Sequence, residues 1–141
     1  MTLYLDTSVL VAALTHEAET ARMQQWLRDQ AVATLAVSEW VVAEFSSALA
    51  LKMRSRQITA ANRADALAAF ARLVEESFTL LAISGLQFRT AARFADRYEL
   101  GLRAGDALHL AICADHGATL CTLDRTLTAA GPVLGVKTIL L

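Results

Sequence analysis

Short runs rich in leucine, valine and threonine alternate with longer alanine-rich amphipathic stretches along this chain, and that alternation leaves few folds open. The short runs are Leu3–Leu5, Ala33–Val37, Thr79–Ile83, Thr119–Thr122 and Lys137–Leu140, each of strand length. The longer ones are Ser8–Leu14, Glu19–Arg28, Ser38–Ser55, Ala60–Glu75, Leu86–Tyr98, Ala104–His116 and Arg125–Ala130, which read as helices. Strands separated by helices imply βαβ units, hence an α/β fold with a mainly parallel sheet covered on both faces. Ser38, Thr59 and Ser84 stand where an N-cap hydroxyl can accept a free backbone N–H. Gly117 suits the left-handed position that closes a helix, and Gly131-Pro132 is expected to end the last short one.

At 141 residues, 55% of them hydrophobic, the chain has material for one core without disulfides. No linker, repeat or low-complexity segment divides it, so residues 1–141 read as a single domain. The N-terminal stretch has no basic region and carries Asp6 inside its apolar run, which argues against a signal peptide. The longest apolar stretch, Ala31 to Leu51, is interrupted by Glu39 and Glu44, costly charges in a bilayer. A soluble, cytoplasmic protein with no membrane partner is expected. Cys113 and Cys121 lack metal-ligand spacing and read as small buried apolar residues. A net charge of −1 supplies no overall basic field, which counts against a tight, non-specific nucleic-acid binder.

Four carboxylates stand out by position. Asp6 directly follows the first strand, and Asp124 comes two residues after the fourth. In open parallel sheets ligands bind beyond the carboxyl ends of the strands, so both acids lie on the functional edge. Asp106 stands near the start of a helix beside that edge. Glu44 shares its helix face with Trp40, Val41, Ser47 and Ala48, and a carboxylate among apolar neighbours needs a partner or a metal. Simpler roles exist: Asp6, Asp106 and Asp124 each suit a helix cap, and Glu44 suits an ion pair with an arginine such as Arg103. Carboxylates converging on one edge, however, repel each other unless protons or cations neutralise them. Hard divalent cations with oxygen ligands do so, and can activate a water and stabilise a leaving oxygen in phosphodiester hydrolysis.

The acids sit in motifs that take the reading further. Tyr4-Leu5-Asp6-Thr7-Ser8-Val9-Leu10, Ser38-Glu39 through Glu44, Gly105-Asp106-Ala107-Leu108-His109-Leu110-Ala111 and Thr122-Leu123-Asp124 together resemble the PIN-domain family. Within it they are most similar to the VapC-type toxins of bacterial toxin–antitoxin pairs. The resemblance implies a three-layer α/β/α sandwich with a five-stranded, mainly parallel sheet. It implies that Asp6, Glu44, Asp106 and Asp124 hold Mg²⁺ or Mn²⁺, with Ser8 and Thr122 orienting a carboxylate or a water. The implied activity is metal-dependent endoribonuclease hydrolysis of RNA, tRNA or ribosomal loops in particular; in-line attack by a metal-activated water would leave 5′-phosphate and 3′-hydroxyl ends. The implied partners are a VapB-like antitoxin and a second copy in a homodimer. One departure stands out: many relatives carry further Asn or Asp around the last acid, whereas here Leu123 precedes it and Arg125 follows.

Other residues have two readings each. Arg103, three before Asp106, neutralises the acids or meets an incoming phosphate. Arg89, Arg93 and Arg97 recur at helical spacing, as a solvated face or as a track for RNA. Lys52, Arg54 and Arg56 cluster at a helix end, where cations favour the dipole. His109 has no nucleophile at recognisable spacing and is expected to be packed and hydrogen-bonded. A haloacid-dehalogenase-like phosphatase would need an acid at position 8, where Ser8 stands, and a phospho-receiver would need an acceptor Asp after the middle strand, which ends at Ile83-Ser84-Gly85. A non-catalytic PIN-like scaffold for RNA or protein is the alternative from another class.

Overall fold

The computed structural model describes the backbone of residues 1–141 and every side chain except that of Val32. The elements are β1 (Leu3–Leu5), α1 (Thr7–Leu14), α2 (Thr20–Asp29), β2 (Leu35–Ser38), α3 (Glu39–Arg54), α4 (Ala60–Glu76), β3 (Thr79–Leu81), α5 (Gly85–Ala95), α6 (Ala104–His116), β4 (Thr119–Thr122), α7 (Arg125–Val133) and β5 (Thr138–Leu140). Short 3₁₀ turns at Val32–Thr34 and Tyr98–Leu100 precede β2 and α6. The strands form one sheet in the order β3-β2-β1-β4-β5, every pair parallel. This is the expected α/β architecture, with seven helices flanking the sheet.

Chain direction explains the layers. From β1 to β3 the chain steps one way across the sheet; it then crosses back to β4 and continues to β5. Right-handed crossovers place α1–α4 on one face and α5–α7 on the other. The packing agrees: α1 touches α2, α3 and α4, while α5 lies along α6, and α7 covers β4 and β5. The centre is covered on both sides, so Leu3, Tyr4, Leu5, Leu120 and Cys121 are all buried. The step direction reverses between β1 and β4, which opens a crevice at their carboxyl ends.

Several boundaries differ from expectation for local reasons. β2 starts at Leu35, because Ala33 and Thr34 belong to the preceding 3₁₀ turn, where the Thr34 hydroxyl donates to Ala31 O (2.7 Å). α5 stops at Ala95 instead of Tyr98: Asp96 to Glu99 are exposed, so no buried face sustains the helix, and Gly101 turns the chain at φ 67°. α7 runs through Gly131-Pro132 to Val133. The Thr128 carbonyl that Pro132 cannot bond accepts the Thr138 hydroxyl instead (2.8 Å). Gly131 is there for space: a Cβ would lie 2.2 Å from Thr138 Cγ2. Thr59 and Ser84 cap their helices as expected, and Gly117 is left-handed at φ 63°. Ser38 occupies its N-cap position without capping, because its hydroxyl is engaged elsewhere.

Candidate active site

The crevice between β1 and β4 is built around Asp6. Its backbone N–H donates to Cys121 O (3.1 Å), which locks the two strand ends together. Its carboxylate caps α1, accepting the Val9 N–H (3.4 Å) and the Ser8 hydroxyl (2.5 Å) on Oδ1. Oδ2 accepts the Thr122 hydroxyl (2.5 Å) from across the crevice. Both hydroxyls are themselves fixed, Ser8 Oγ accepting the Leu123 N–H (3.1 Å) and Thr122 Oγ1 the Asp124 N–H (3.0 Å). Asp6 is only 4% exposed, and burial raises its pKa above the ordinary 3.8; the bonds from Ser8, Thr122 and Val9 offset this only in part.

Asp106 and Asp124 stand at the mouths of helices on the same edge. Asp124 is exposed and caps α7, accepting the Leu127 N–H (3.1 Å). Asp106 is in the first turn of α6 and half-buried. Its pKa is raised by burial and by the charges of Asp124 and Glu44, against the pull of the Arg103 backbone N–H and of His109. The charges of Asp124 and Glu44 thus act on Asp106 from the same region.

Glu44, one and a half turns into α3, is paired, but with a histidine. Its Oε1 accepts His109 Nε2–H (2.5 Å) and the Thr7 hydroxyl (2.7 Å). His109 Nδ1 in turn bonds the Tyr4 hydroxyl (2.9 Å), which also bonds Ser38 Oγ (2.7 Å). Burial alone would raise the Glu44 pKa; the hydrogen bond and charge of His109, with Thr7, outweigh it and hold the carboxyl below its ordinary range. The pairing with Arg103 weighed from sequence does not form. Arg103 is the exposed N-cap residue of α6 and makes no ion pair among the described residues.

Thr7, Tyr4 and His109 were not singled out as site residues. The one signal for them was chemical: a tyrosine inside the first strand and a histidine on an apolar helix both need partners once buried. Trp40, one turn before Glu44 on α3, carries the reverse problem. Its indole N–H is buried and has no hydrogen-bond partner, at a cost of about 1–3 kcal/mol. Gly105 lies over both: a Cβ there would sit 3.1 Å from Glu44 Oε2 and 3.5 Å from Trp40 Nε1. Arg89 and Arg93 are exposed on α5, whereas Arg97 falls beyond its end and pairs with Glu99 (2.6 Å).

The donor set fits a hard cation. Among the described residues no three Asp, Glu, His or Cys side chains stand close enough to form a ready-made cage, so the four acids do not converge as one ligand set. A magnesium ion needs only one or two carboxylates beside its waters and substrate phosphates. Asp6, Asp106 and Asp124 have no Lys or Arg partner among the described residues, and Asp6 and Asp106 are held in surroundings that disfavour their charge. Gly105 leaves open the space beside Glu44 Oε2 that any side chain would fill.

Comparison with known proteins gives the family and the fold. The PIN domain family model matches residues 3–131. No curated protein matches the sequence. Among solved structures, the Mycobacterium tuberculosis toxin VapC20, described as cleaving the sarcin–ricin loop, superposes with a TM-score of 0.76 at 19% identity, covering 92% of this chain and 95% of that one. VapBC2 from Rickettsia felis, solved on a promoter DNA fragment, gives 0.67 at 18% identity over 100% and 99%. A Pyrobaculum aerophilum protein gives 0.65 at 25% identity over 98% and 90%. With the PIN domain model spanning residues 3–131, all but the last strand, this chain belongs to the PIN-domain family.

Proposed function

We propose that this chain is a divalent-cation-dependent endoribonuclease and the toxin of a VapBC-type toxin–antitoxin pair, with residues 1–141 acting as one domain. PIN domains are typically nucleases that use divalent metals. The observation that carries the reading is the Asp6–Asp106–Asp124 edge, three carboxylates with no Lys or Arg partner among the described residues. Asp6, Asp106 and Asp124, with Glu44 through Oε2, are the residues to hold Mg²⁺ or Mn²⁺. Such an ion supplies Lewis-acid charge for activating a water and stabilising the leaving 3′-oxygen.

The chain's own groups then do the positioning. Ser8 and Thr122 fix both oxygens of Asp6, so its carboxylate cannot rotate away from the crevice. Asp124, exposed and anchored as a cap, marks the outer rim. Arg103, free of any acidic partner among the described residues, is placed at the start of α6 to meet a phosphate of the incoming strand. Arg89 and Arg93 extend that positive surface along α5, a compensation for the net charge of −1; Arg97, tied to Glu99, is the weakest of the three RNA contacts.

Partner binding is read from surface. The groove between α3 and α4, lined by Val42, Ser46, Leu67, Phe70 and Val74, is the proposed seat for a VapB-like antitoxin, with homodimerisation as the accompanying assembly. A Klebsiella pneumoniae neighbour was solved as a toxin–antitoxin complex. A second reading, a scaffold that binds RNA or protein without cutting, draws on the missing ready-made cage.

The test is cleavage of total cellular RNA by wild type and Asp6→Asn, with and without Mg²⁺ or Mn²⁺, with ends mapped. Metal-dependent cuts by the wild type alone, carrying 5′-phosphates and 3′-hydroxyls, support the proposal. Ends bearing 2′,3′-cyclic phosphate exclude this hydrolysis, and absence of cutting favours the scaffold.

A further inference from the structure

Glu44 has two candidate homes. In the structure Oε1 is taken by Thr7 and His109, and Oε2 is free of any protein partner among the described residues. One turn back on the same helix, the Trp40 indole N–H is buried and unsatisfied. Trp40 Nε1 and Glu44 Oε2 both lie within 3.5 Å of one point, the position of a Cβ on Gly105. Residues four apart on a helix face each other, so a turn of the Glu44 side chain lets Oε2 accept the indole N–H. Solvation and hydrogen-bond satisfaction favour that move; something must oppose it.

We infer that the Ser38–Tyr4–His109 chain is the positioning device that holds Glu44 at the acidic edge and keeps it from swinging to Trp40. A carboxylate only accepts, so His109 Nε2 carries the hydrogen in either protonation state of the ring. A neutral ring accepts the Tyr4 hydroxyl at Nδ1, while a charged ring donates to it; either way Tyr4, anchored on Ser38, fixes the imidazole plane. All three residues are buried, His109 at 3% exposure and the others at 0%, so the imidazole has no room to rotate. Metal-binding carboxylates are commonly aligned by such outer hydrogen bonds. The assignment rests on the proposed role of Glu44 as a cation-binding acid, but the competition with Trp40 exists without any cation.

That separation sets the experiment. In metal-free, ¹⁵N-labelled protein the Trp40 indole N–H, distinguished from that of Trp26 with Trp40→Phe, is expected at the position of a non-bonded indole. His109→Ala should move it downfield into the hydrogen-bonded range, and His109→Gln, which restores a donor to Glu44, should return it. Tyr4→Phe removes a single oxygen and should move the signal part of the way. It decides the matter should His109→Ala fail to fold. An indole signal that stays put in a folded His109→Ala, or in Tyr4→Phe, overturns the inference.

Mn²⁺ affinity, read by electron paramagnetic resonance, should fall about 10–100-fold in His109→Ala and recover substantially when Trp40→Phe is added, which removes the competing donor. Failure of the double variant to recover also counts against the swing. Wild type that binds no Mn²⁺ sinks the cation-site reading instead, and leaves the indole signals to judge the positioning device.

Discussion

Asp6 and Glu44 lie on the same edge of the sheet and are held by opposite means. Asp6 is clasped by two hydroxyls and a backbone N–H, dipoles that orient a carboxylate without neutralising it, and its pKa is pushed up by burial. Glu44 is held by an imidazole and a hydroxyl, and its pKa is pulled down although burial pushes the other way. One acid is aimed and left electrically unpaid; the other is provided for from within. The contrast teaches that the proposed cation would relieve Asp6 and its neighbour Asp106, whose charge burial disfavours, more than Glu44, which His109 and Thr7 already stabilise.

Asp6→Asn is the strongest way to sharpen this contrast. Cleavage should fall at least about a hundred-fold, while stability at neutral pH should rise by about 1 kcal/mol, the common trade at a functional site. The sign follows from the raised pKa. Below 3.8 both folded and unfolded Asp6 are protonated and the variant gains nothing; the wild type loses stability as pH climbs from there to the folded pKa, and the gap then stays constant. Thermal unfolding across that range measures it, and a destabilised Asp6→Asn at neutral pH would break the comparison.

Glu44→Gln should behave in reverse. Here the folded state favours the charge, so the wild type is the more stable above 4.5 and loses the advantage as pH falls through the lowered folded pKa. Activity should drop about tenfold and stability by about 1 kcal/mol at neutral pH. If both variants shift in the same direction, the two acids are not differently held.

Thr122→Val removes one of the three donors that clasp Asp6 and strands the Asp124 N–H. A loss of about 1–3 kcal/mol in unfolding free energy is expected, together with a further rise in the Asp6 pKa that moves the acid limb of the pH–rate profile upward. Arg103→Ala should do least: an exposed residue with no ion pair, it should leave the melting temperature unchanged, weaken RNA binding a few-fold and lower the salt dependence of that binding by about one contact.

How far the sequence spoke depended on distance along the chain. α6 and β4 were legible to the residue, because Ala104–His116 carries helical spacing, Gly117 closes it and a strand run follows at once. Ser8 and Thr122 were found through their motifs, and each proved to bind an Asp6 oxygen. The partner of Glu44 was not legible: His109 is 65 residues away, and spacing rules see only neighbours on one element. Likewise Gly131-Pro132 looked like a stop signal, since the hydroxyl that rescues the Thr128 carbonyl arrives from β5. The capping roles expected of Asp6 and Asp124 both form, and the two acids stand beyond the carboxyl ends of β1 and β4.

The hydroxyl bond from Thr122 to Asp6 joins residues 116 apart. A chain leaving the ribosome N-terminus first presents Tyr4 and Asp6 early, then makes β2, β3 and six helices before Thr122 exists to complete the crevice. Contacts of such separation form late in folding as well as late in synthesis. The nascent polypeptide therefore carries its first acid without a finished pocket around it, and any chemistry at Asp6 is deferred until translation of this segment is nearly over.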